Sequence, residues 1–289
     1  MVVNIDLTRR HGVFTIVEAF AHYNYTENLI VNVKHQRGRF IANGIYPILC
    51  SILNEARKRG LHVDLNFDLP ENCSQLLYAE RMNFLQCLGL NYFTPFGRNS
   101  ANGRFIEITN IPKGNYSMSI NLMEVFTKDF DLSTEASSDL AFIIGEIYCN
   151  TTIHSRSENG CYFYCQKYPN KGYLEVHIVD SGIGIVTSMR KNDKYSGIDD
   201  NLLLPLSLEF SEGSGEGRGH GLYFVSEFIR RNNGEMLYLS GNNHIFIGGK
   251  GDQIGNNGNY HGVVIKLRFR FDVSVTTLDL MREKTYSNV

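Results

Sequence analysis

Three short stretches carry residue types suited to holding a metal-bound nucleotide: Glu146-Ile-Tyr-Cys-Asn150, Asp180-Ser-Gly-Ile-Gly184 and Gly217-Arg-Gly-His-Gly-Leu222. In the first, Glu146, Asn150 and His154 follow one another at one helical turn. A carboxamide oxygen suits Mg²⁺, a hard ion that prefers oxygen ligands and keeps several waters. A neighbouring carboxylate can orient or deprotonate an attacking water or hydroxyl. In the second stretch, an aspartate at a strand end can accept a hydrogen bond from an exocyclic base amine, and the glycines after it let backbone pass close to the base. In the third, glycines at a helix start expose backbone N–H groups as a phosphate cradle. Each stretch alone also reads as a solvated polar stripe or a tight turn. Together, in this order, they describe a Mg-nucleotide pocket.

The elements that must position these residues follow from periodicity. Residues 133–155 read as a helix whose buried stripe is Leu140, Ile144, Ile147 and Thr151. Residues 161–168 and 173–179 read as strands joined by Pro169-Asn-Lys-Gly172. The second alternates Leu174, Val176 and Ile178 against Tyr173, Glu175 and His177, the pattern of one buried face. Residues 187–216, polar around Leu202-Leu-Leu-Pro-Leu206, read as a lid or binding loop. The helix opened by the glycines has apolar positions Leu222, Val225 and Ile229 and ends at Asn233-Gly234. Residues 235–240 and 243–247 are expected to form a hairpin and 261–267 a strand, with a glycine- and asparagine-rich loop at 248–260 between them. The absence of Gly-Lys-Ser/Thr after the glycines excludes a P-loop. A Rossmann fingerprint would place its glycines directly after an early strand.

The first half reads strand 29–33, helix 45–56, strand 61–67 and helix 74–88 closed by Gly89. In the first helix Ile45, Ile48, Leu49, Ile52, Leu53 and Ala56 make one buried face, with Asn43 as N-cap, Pro47 tolerated early and Gly60 at the end. This order predicts a small α/β layer with parallel strands. Residues 94–118 carry Pro95, Gly97, Gly103, Pro112 and Gly114 around a short strand at 104–109 and mark the boundary between domains 1–115 and 116–289.

Composition sets outer limits. A length of 289 residues accommodates two domains, and 43% apolar with 20% charged residues is ordinary for a globular chain. A net charge of −2 gives no overall field for nucleic acid or an anionic membrane. The start lacks the layout of a secretion signal and no apolar run is long enough to span a bilayer, so a cytoplasmic protein is expected. The six cysteines show no CxxC spacing and read as reduced, packed thiols, with Cys161 and Cys165 on one strand face.

The three stretches in this order resemble the GHKL ATPase superfamily, which includes gyrase-type topoisomerases, a heat-shock chaperone class, histidine kinases and MutL-type repair proteins. The resemblance covers about residues 133–271. It implies an α+β fold for the second domain, a two-layer α/β sandwich with helices on one face of a mixed sheet, and ATP and Mg²⁺ as cofactors. It implies Glu146 as general base, Asn150 as Mg²⁺ ligand, Asp180 as adenine reader and Gly182 and Gly184 as the turn beneath the base. Gly217, Gly219 and Gly221 would contact phosphate, with Arg218, His220 and Leu222 in the same nucleotide-binding stretch. Val263 and Val264 stand where the family often has Thr or Ser, which removes a hydrogen bond near the adenine.

The first half, through Asn43-Gly44, Lys58-Arg-Gly60 and Phe84-Leu-Gln-Cys-Leu-Gly-Leu90, resembles the STAS fold of anti-anti-sigma factors and transporter tails. Ala42-Asn43 stands where regulated members carry a phosphorylatable serine. Asn150-Thr-Thr-Ile-His154-Ser155 is similar to the corresponding helix of anti-sigma-factor serine kinases, which phosphorylate STAS partners. No helical hairpin bearing a phosphoacceptor histidine is visible. The resemblances imply a regulatory ATPase or serine-kinase-like protein of bacterial-type signalling, with a protein partner and, as in many relatives, a homodimer. The alternative is a non-catalytic ATP-sensing switch. A DNA-linked clamp fits less well, since there is no basic surplus and the stretch after residue 271 is short for a transducer domain.

Overall fold

The computed structural model describes residues 1–7, 12–34, 44–68, 74–90, 100–101, 103–113, 124–213 and 220–286. The first half forms β1 (Val2–Asp6), α1 (Val13–Ala19), β2 (Leu29–Lys34), α2 (Ile45–Lys58) and β3 (Val63–Asp68). The strands make a parallel sheet in the order β1-β2-β3, each step crossing over through a helix. β1 and α1 add to the elements expected from the sequence, although Val3, Ile5 and Leu7 alternate and are buried. On the outer face Asn4, Asn32 and Asn66 stand in register. Asn32 Nδ2 donates to Asn4 Oδ1 at 2.9 Å and Asn66 Nδ2 to Asn32 Oδ1 at 3.0 Å.

α2 ends as its sequence predicts. Gly60 takes a φ of +79°, its N–H donates to Arg57 O, and Leu61 N–H donates to Ala56 O. Asn43, the expected N-cap, lies outside the described residues, and Gly44 directly precedes the helix. The helix expected at 74–88 is two, α3 (Ser74–Arg81) and α4 (Phe84–Cys87), because Asn83 adopts a left-handed φ of 63° that interrupts the ladder.

The second sheet contains β4 (Phe105–Ile111), β5 (Cys161–Tyr168), β6 (Tyr173–Asp180), β7 (Glu235–Ile247) and β8 (Gln253–Arg270), in the order β4-β5-β6-β8-β7. Every pair is antiparallel, so the sheet is not mixed; β5–β6 and β7–β8 are hairpins, whose short links allow only that direction. β4 is an edge strand of this sheet although it precedes the expected division at 115. The hairpin expected within 235–247 and the loop at 248–260 are instead one long arm. β7 continues through register shifts at Ser240–Asn243, where Gly241 has a φ of +59°, and residues 253–256 of β8 pair with 243–246. The bulge reads as a turn in sequence because it needs turn-type residues.

Both faces of this sheet are covered, rather than one. The helices α5 (Thr134–His154) and α8 (Gly221–Arg231) pack on one face, α1 and α2 on the other. Tyr162, Tyr164, Val179, Leu239 and Val264 of the second sheet share a core with the first-half residues Val31, Ile48 and Leu53. α2 is accordingly buried nearly all round, not on one stripe. Its polar residues reach into the second half: Ser51 Oγ shares a hydrogen bond with Ser181 Oγ at 2.8 Å, Asn54 Nδ2 donates to Tyr162 OH at 2.6 Å, and Glu55 Oε2 accepts from Ser157 Oγ at 3.1 Å.

The expected polar face of β6 is therefore interior. Glu175 accepts from His177 Nε2 at 3.0 Å, Lys266 Nζ at 2.9 Å and Arg268 Nε at 3.0 Å. Burial would raise the Glu175 carboxyl, but the His177 hydrogen bond and the Lys266 ammonium outweigh it and hold it well below the usual range. Burial holds the His177 imidazole below its ordinary value.

Gly44 lies directly against that ring. A Cβ on Gly44 would sit 2.1 Å from His177 Cε1, and the ring is fully enclosed. Gly44→Ala is expected to destabilise the fold by about 1–3 kcal/mol, the usual range for overpacking a core, measured as a shift in denaturant midpoint. An unchanged midpoint would show that α2 is free to move off the sheet.

Among the described residues no helix is long and apolar enough to cross a membrane. Cys50, Cys87, Cys149, Cys161 and Cys165 are free thiols; Cys161 and Cys165 do share one face, toward the α5 side, and Cys73 lies outside the described residues.

Candidate functional site

A cavity of about 830 Å³ opens between α5, the start of α8 and the sheet, a size usual for small-molecule sites. Its wall brings together Glu146, Asn150, Asp180, Gly184, His220, Gly221 and Leu222. Gly182 is not on the wall, and Gly217, Arg218 and Gly219 lie outside the described residues.

α5 is started by Ser133, whose Oγ accepts from Ala136 N at 3.2 Å. Leu140, Ile144, Ile147 and Thr151 are buried as the periodicity predicts, which turns Glu146, Asn150 and His154, all half-buried, toward the cavity. The helix end docks on the Asp180 turn, with Ser155 O accepting from Ile183 N at 2.7 Å. A Cβ on Gly182 would lie 2.0 Å from Ser155 O. Gly182 thus serves the approach of helix to turn, where the sequence pattern places it under a base. Gly184 has a φ of +72° and faces Ser240. Ser240 Oγ accepts from Ile185 N at 2.9 Å and donates to Gly262 O at 2.7 Å, locking the turn. Nothing in the sequence pattern singles out Ser240.

Asp180 ends β6 fully buried. Its Oδ1 accepts from Gly182 N at 2.8 Å, while Oδ2 has no hydrogen-bond partner among the described residues. Burial pushes the carboxyl up to about 7, against the pull of the Gly182 and Val263 amides; Glu55, across the layer in α2, adds to the rise. The main chain is held from behind, since Tyr260 OH donates to Asp180 O at 2.9 Å. A buried acceptor left unpartnered costs on the order of 1–3 kcal/mol, and this one belongs to a residue of the cavity wall.

The start of α8 meets the Glu146–Asn150 pair. A Cβ on Gly221 would lie 2.3 Å from Glu146 Oε2 and 3.5 Å from Asn150 Nδ2, so a side chain here would displace the Glu146 carboxylate. The positive end of an eleven-residue helix therefore opens beside a carboxylate and a carboxamide. Burial raises the Glu146 carboxyl above its ordinary value. Among the described residues no group of three or more His, Cys, Asp or Glu is placed to hold a metal ion. A cation here would be held by Asn150 together with oxygens of the ligand and water, a pattern suited to Mg²⁺.

The expected lid is largely a packed helical segment. α6 (Gly184–Met189) and α7 (Asp200–Leu206) bury Met189, Leu203 and, between them, Tyr195 in a small core. Arg190 ties the segment, donating to the carbonyls of Tyr195, Ser196 and Ile198 and to Asp200 Oδ1. The Leu-rich run that interrupts the polar sequence supplies this core. At the mouth, Phe210 stacks on His220 at 4.1 Å, and Lys284 Nζ lies 5.2 Å from the Phe210 centroid. Lys284 belongs to α9 (Thr277–Tyr286), which is anchored where Thr277 N and Oγ1 both donate to Asp139 Oδ1. Sequence reasoning misses Phe210 and Lys284, because a single aromatic in a loop and a single base on a short helix carry no spacing signal.

No family model matches the chain, and no curated protein matches it.

Proposed function

We propose that the chain binds Mg²⁺-ATP in this cavity and acts as a GHKL-type regulatory ATPase or serine-kinase-like protein. The observation that carries the reading is the buried, unpartnered Oδ2 of Asp180 on the cavity wall, an acceptor suited to the amine of an adenine base. The opposite end of the cavity supports it: a helix start for phosphate, Asn150 for Mg²⁺ and Glu146 for a proton. Donor set and volume fit the group. Bound Mg²⁺-ATP would supply a transferable phosphoryl group. Asp180 would orient the base, the α8 start would favour the phosphate charge, Asn150 would hold the cation, and Glu146 would take the proton of the attacking hydroxyl or water. The parallel N-terminal layer, STAS-like in this reading, would be the regulatory or partner-binding part of a cytoplasmic protein.

A non-catalytic switch is the second reading, and one observation favours it. The Asp180 turn is gripped from behind by Ser51 and Tyr260, so occupancy of the cavity is felt by α2. Calorimetry with ATP, with and without Mg²⁺, tests binding: wild type is expected to bind in a Mg²⁺-dependent manner, and Asn150→Ala to lose that dependence. No heat of binding in either condition would overturn both readings. Incubation with γ-labelled ATP then separates hydrolysis, self-phosphorylation and binding alone.

A further inference from the structure

A second chemically competent site lies in the N-terminal half, away from the cavity and independent of the ATP reading. Cys50, in α2, is fully buried, and its Sγ lies 3.9 Å from Phe84 O at the start of α4. Cys87, the last residue of α4, is only partly buried, and its Sγ donates to Ile108 O at 3.2 Å. Phe84 and Cys87 are three residues apart and share one helix face. Each thiol perturbs the other's ionisation, as neighbours do. The elements carrying them are tied on the same side, Asn54 Nδ2 donating to Cys87 O at 2.7 Å and Arg57 to Leu88 O at 2.8 Å.

We propose that Cys50 and Cys87 form a reversible disulfide, with Cys87 reacting first with a small-molecule disulfide and Cys50 resolving the product. The Cys87 thiolate attacks one sulfur of the small disulfide; the S–S bond breaks, one thiolate leaves, and a mixed disulfide forms on Cys87. Cys50 then loses its proton to the departing group and attacks the Cys87 sulfur, forming the Cys50–Cys87 bond and releasing the second small thiol. The protein loses two electrons and two protons, and the small disulfide is reduced to two thiols.

The order of attack follows from surroundings. Cys87 is partly exposed whereas Cys50 is fully buried, so a small disulfide reaches Cys87 first; the neighbouring Cys50 thiol also lowers the Cys87 thiol below its ordinary value, while burial raises Cys50 well above it. The other described thiols lack this arrangement. Burial raises Cys161 and Cys165, and burial with the nearby Glu146 raises Cys149.

The full-length chain incubated with glutathione disulfide, then blocked and mapped by mass spectrometry, tests the proposal. The expected product has lost two hydrogens, yields a linked Cys50–Cys87 peptide and returns to thiols with dithiothreitol. Cys87 is expected to react roughly tenfold or more faster than Cys149, and Cys50→Ser to stop at the mixed disulfide on Cys87. A mixed disulfide that persists on wild-type Cys87, a bridge from Cys87 to Cys73 or any other partner, or no reaction at Cys87 would overturn it. The wild-type mapping decides the matter even where Cys50→Ser fails to fold.

Discussion

Asp180→Asn is expected to weaken ATP binding about 10- to 100-fold, the range for losing a hydrogen bond to a charged group, while making the free protein more stable. The carboxyl stands at about 7 because burial disfavours its charge, so near pH 8 the fold holds an ionised group in a site that penalises it. Asparagine keeps an oxygen for the Gly182 amide and removes the charge. It also turns an N–H₂ toward the position where the base amine would donate. The stabilisation should be at least about 1 kcal/mol at pH 8, since a tenfold change in a protonation equilibrium corresponds to about 1.4 kcal/mol. It should shrink as pH falls from 7 toward 4, because the folded wild type takes up its proton first and the penalty disappears. Wild-type ATP affinity should rise with pH through about 7, as only the ionised Oδ2 is a pure acceptor. GTP, with a carbonyl where adenine has its amine, should show the opposite trend. Unfolding curves and calorimetry at pH 6 and 8 read all of this. ATP affinity indifferent to both pH and substitution would remove Asp180 from the site.

Glu146→Gln is expected to lower turnover by about 10²–10⁴, the usual contribution of a positioned general base, with ATP affinity nearly unchanged. Burial has raised the Glu146 carboxyl, which makes its ionised form a better base than an exposed glutamate. The wild-type rate should accordingly rise with pH through a value above that of an ordinary glutamate, and the substitution should abolish that limb. Phosphate release at saturating ATP is the measurement. A rate that survives intact would reassign the base while leaving the nucleotide reading in place. Absence of turnover in wild type, with binding retained, would favour the switch.

Much of the site is legible in the sequence because its residues sit on strongly periodic elements. The stripe Leu140, Ile144, Ile147, Thr151 fixes the roll of α5, and that roll alone puts Glu146 and Asn150 on the cavity wall. Gly221 is marked by its type, and the structure sets it directly against the Glu146 carboxylate. Errors arise where one signal has two physical causes. Alternation in β6 suggests a wet face, yet Glu175 and His177 alternate because they pair with each other and with Lys266 and Arg268 inside a second core. The periodic positions of α2 suggest one buried stripe, although Ile45-Tyr-Pro-Ile-Leu-Cys-Ser-Ile-Leu53 is an almost unbroken apolar run, the mark of a helix enclosed on all sides. The glycine- and asparagine-rich arm at 253–260 reads as a loop because its strand character depends on pairing with 241–246, a partner that composition does not reveal.

The sharing of the second sheet by two cores also bears on how the chain is made. During synthesis the parallel sheet and α2 leave the ribosome well before β5, β6 and β8, so the side of α2 that will meet Ser181, Tyr162 and Ser157 waits uncovered. A nascent chain halted after β3 therefore carries an uncovered face of α2, and covering that face takes the strand that ends in Asp180. Completion of the cavity and burial of the N-terminal layer both draw on the end of β6.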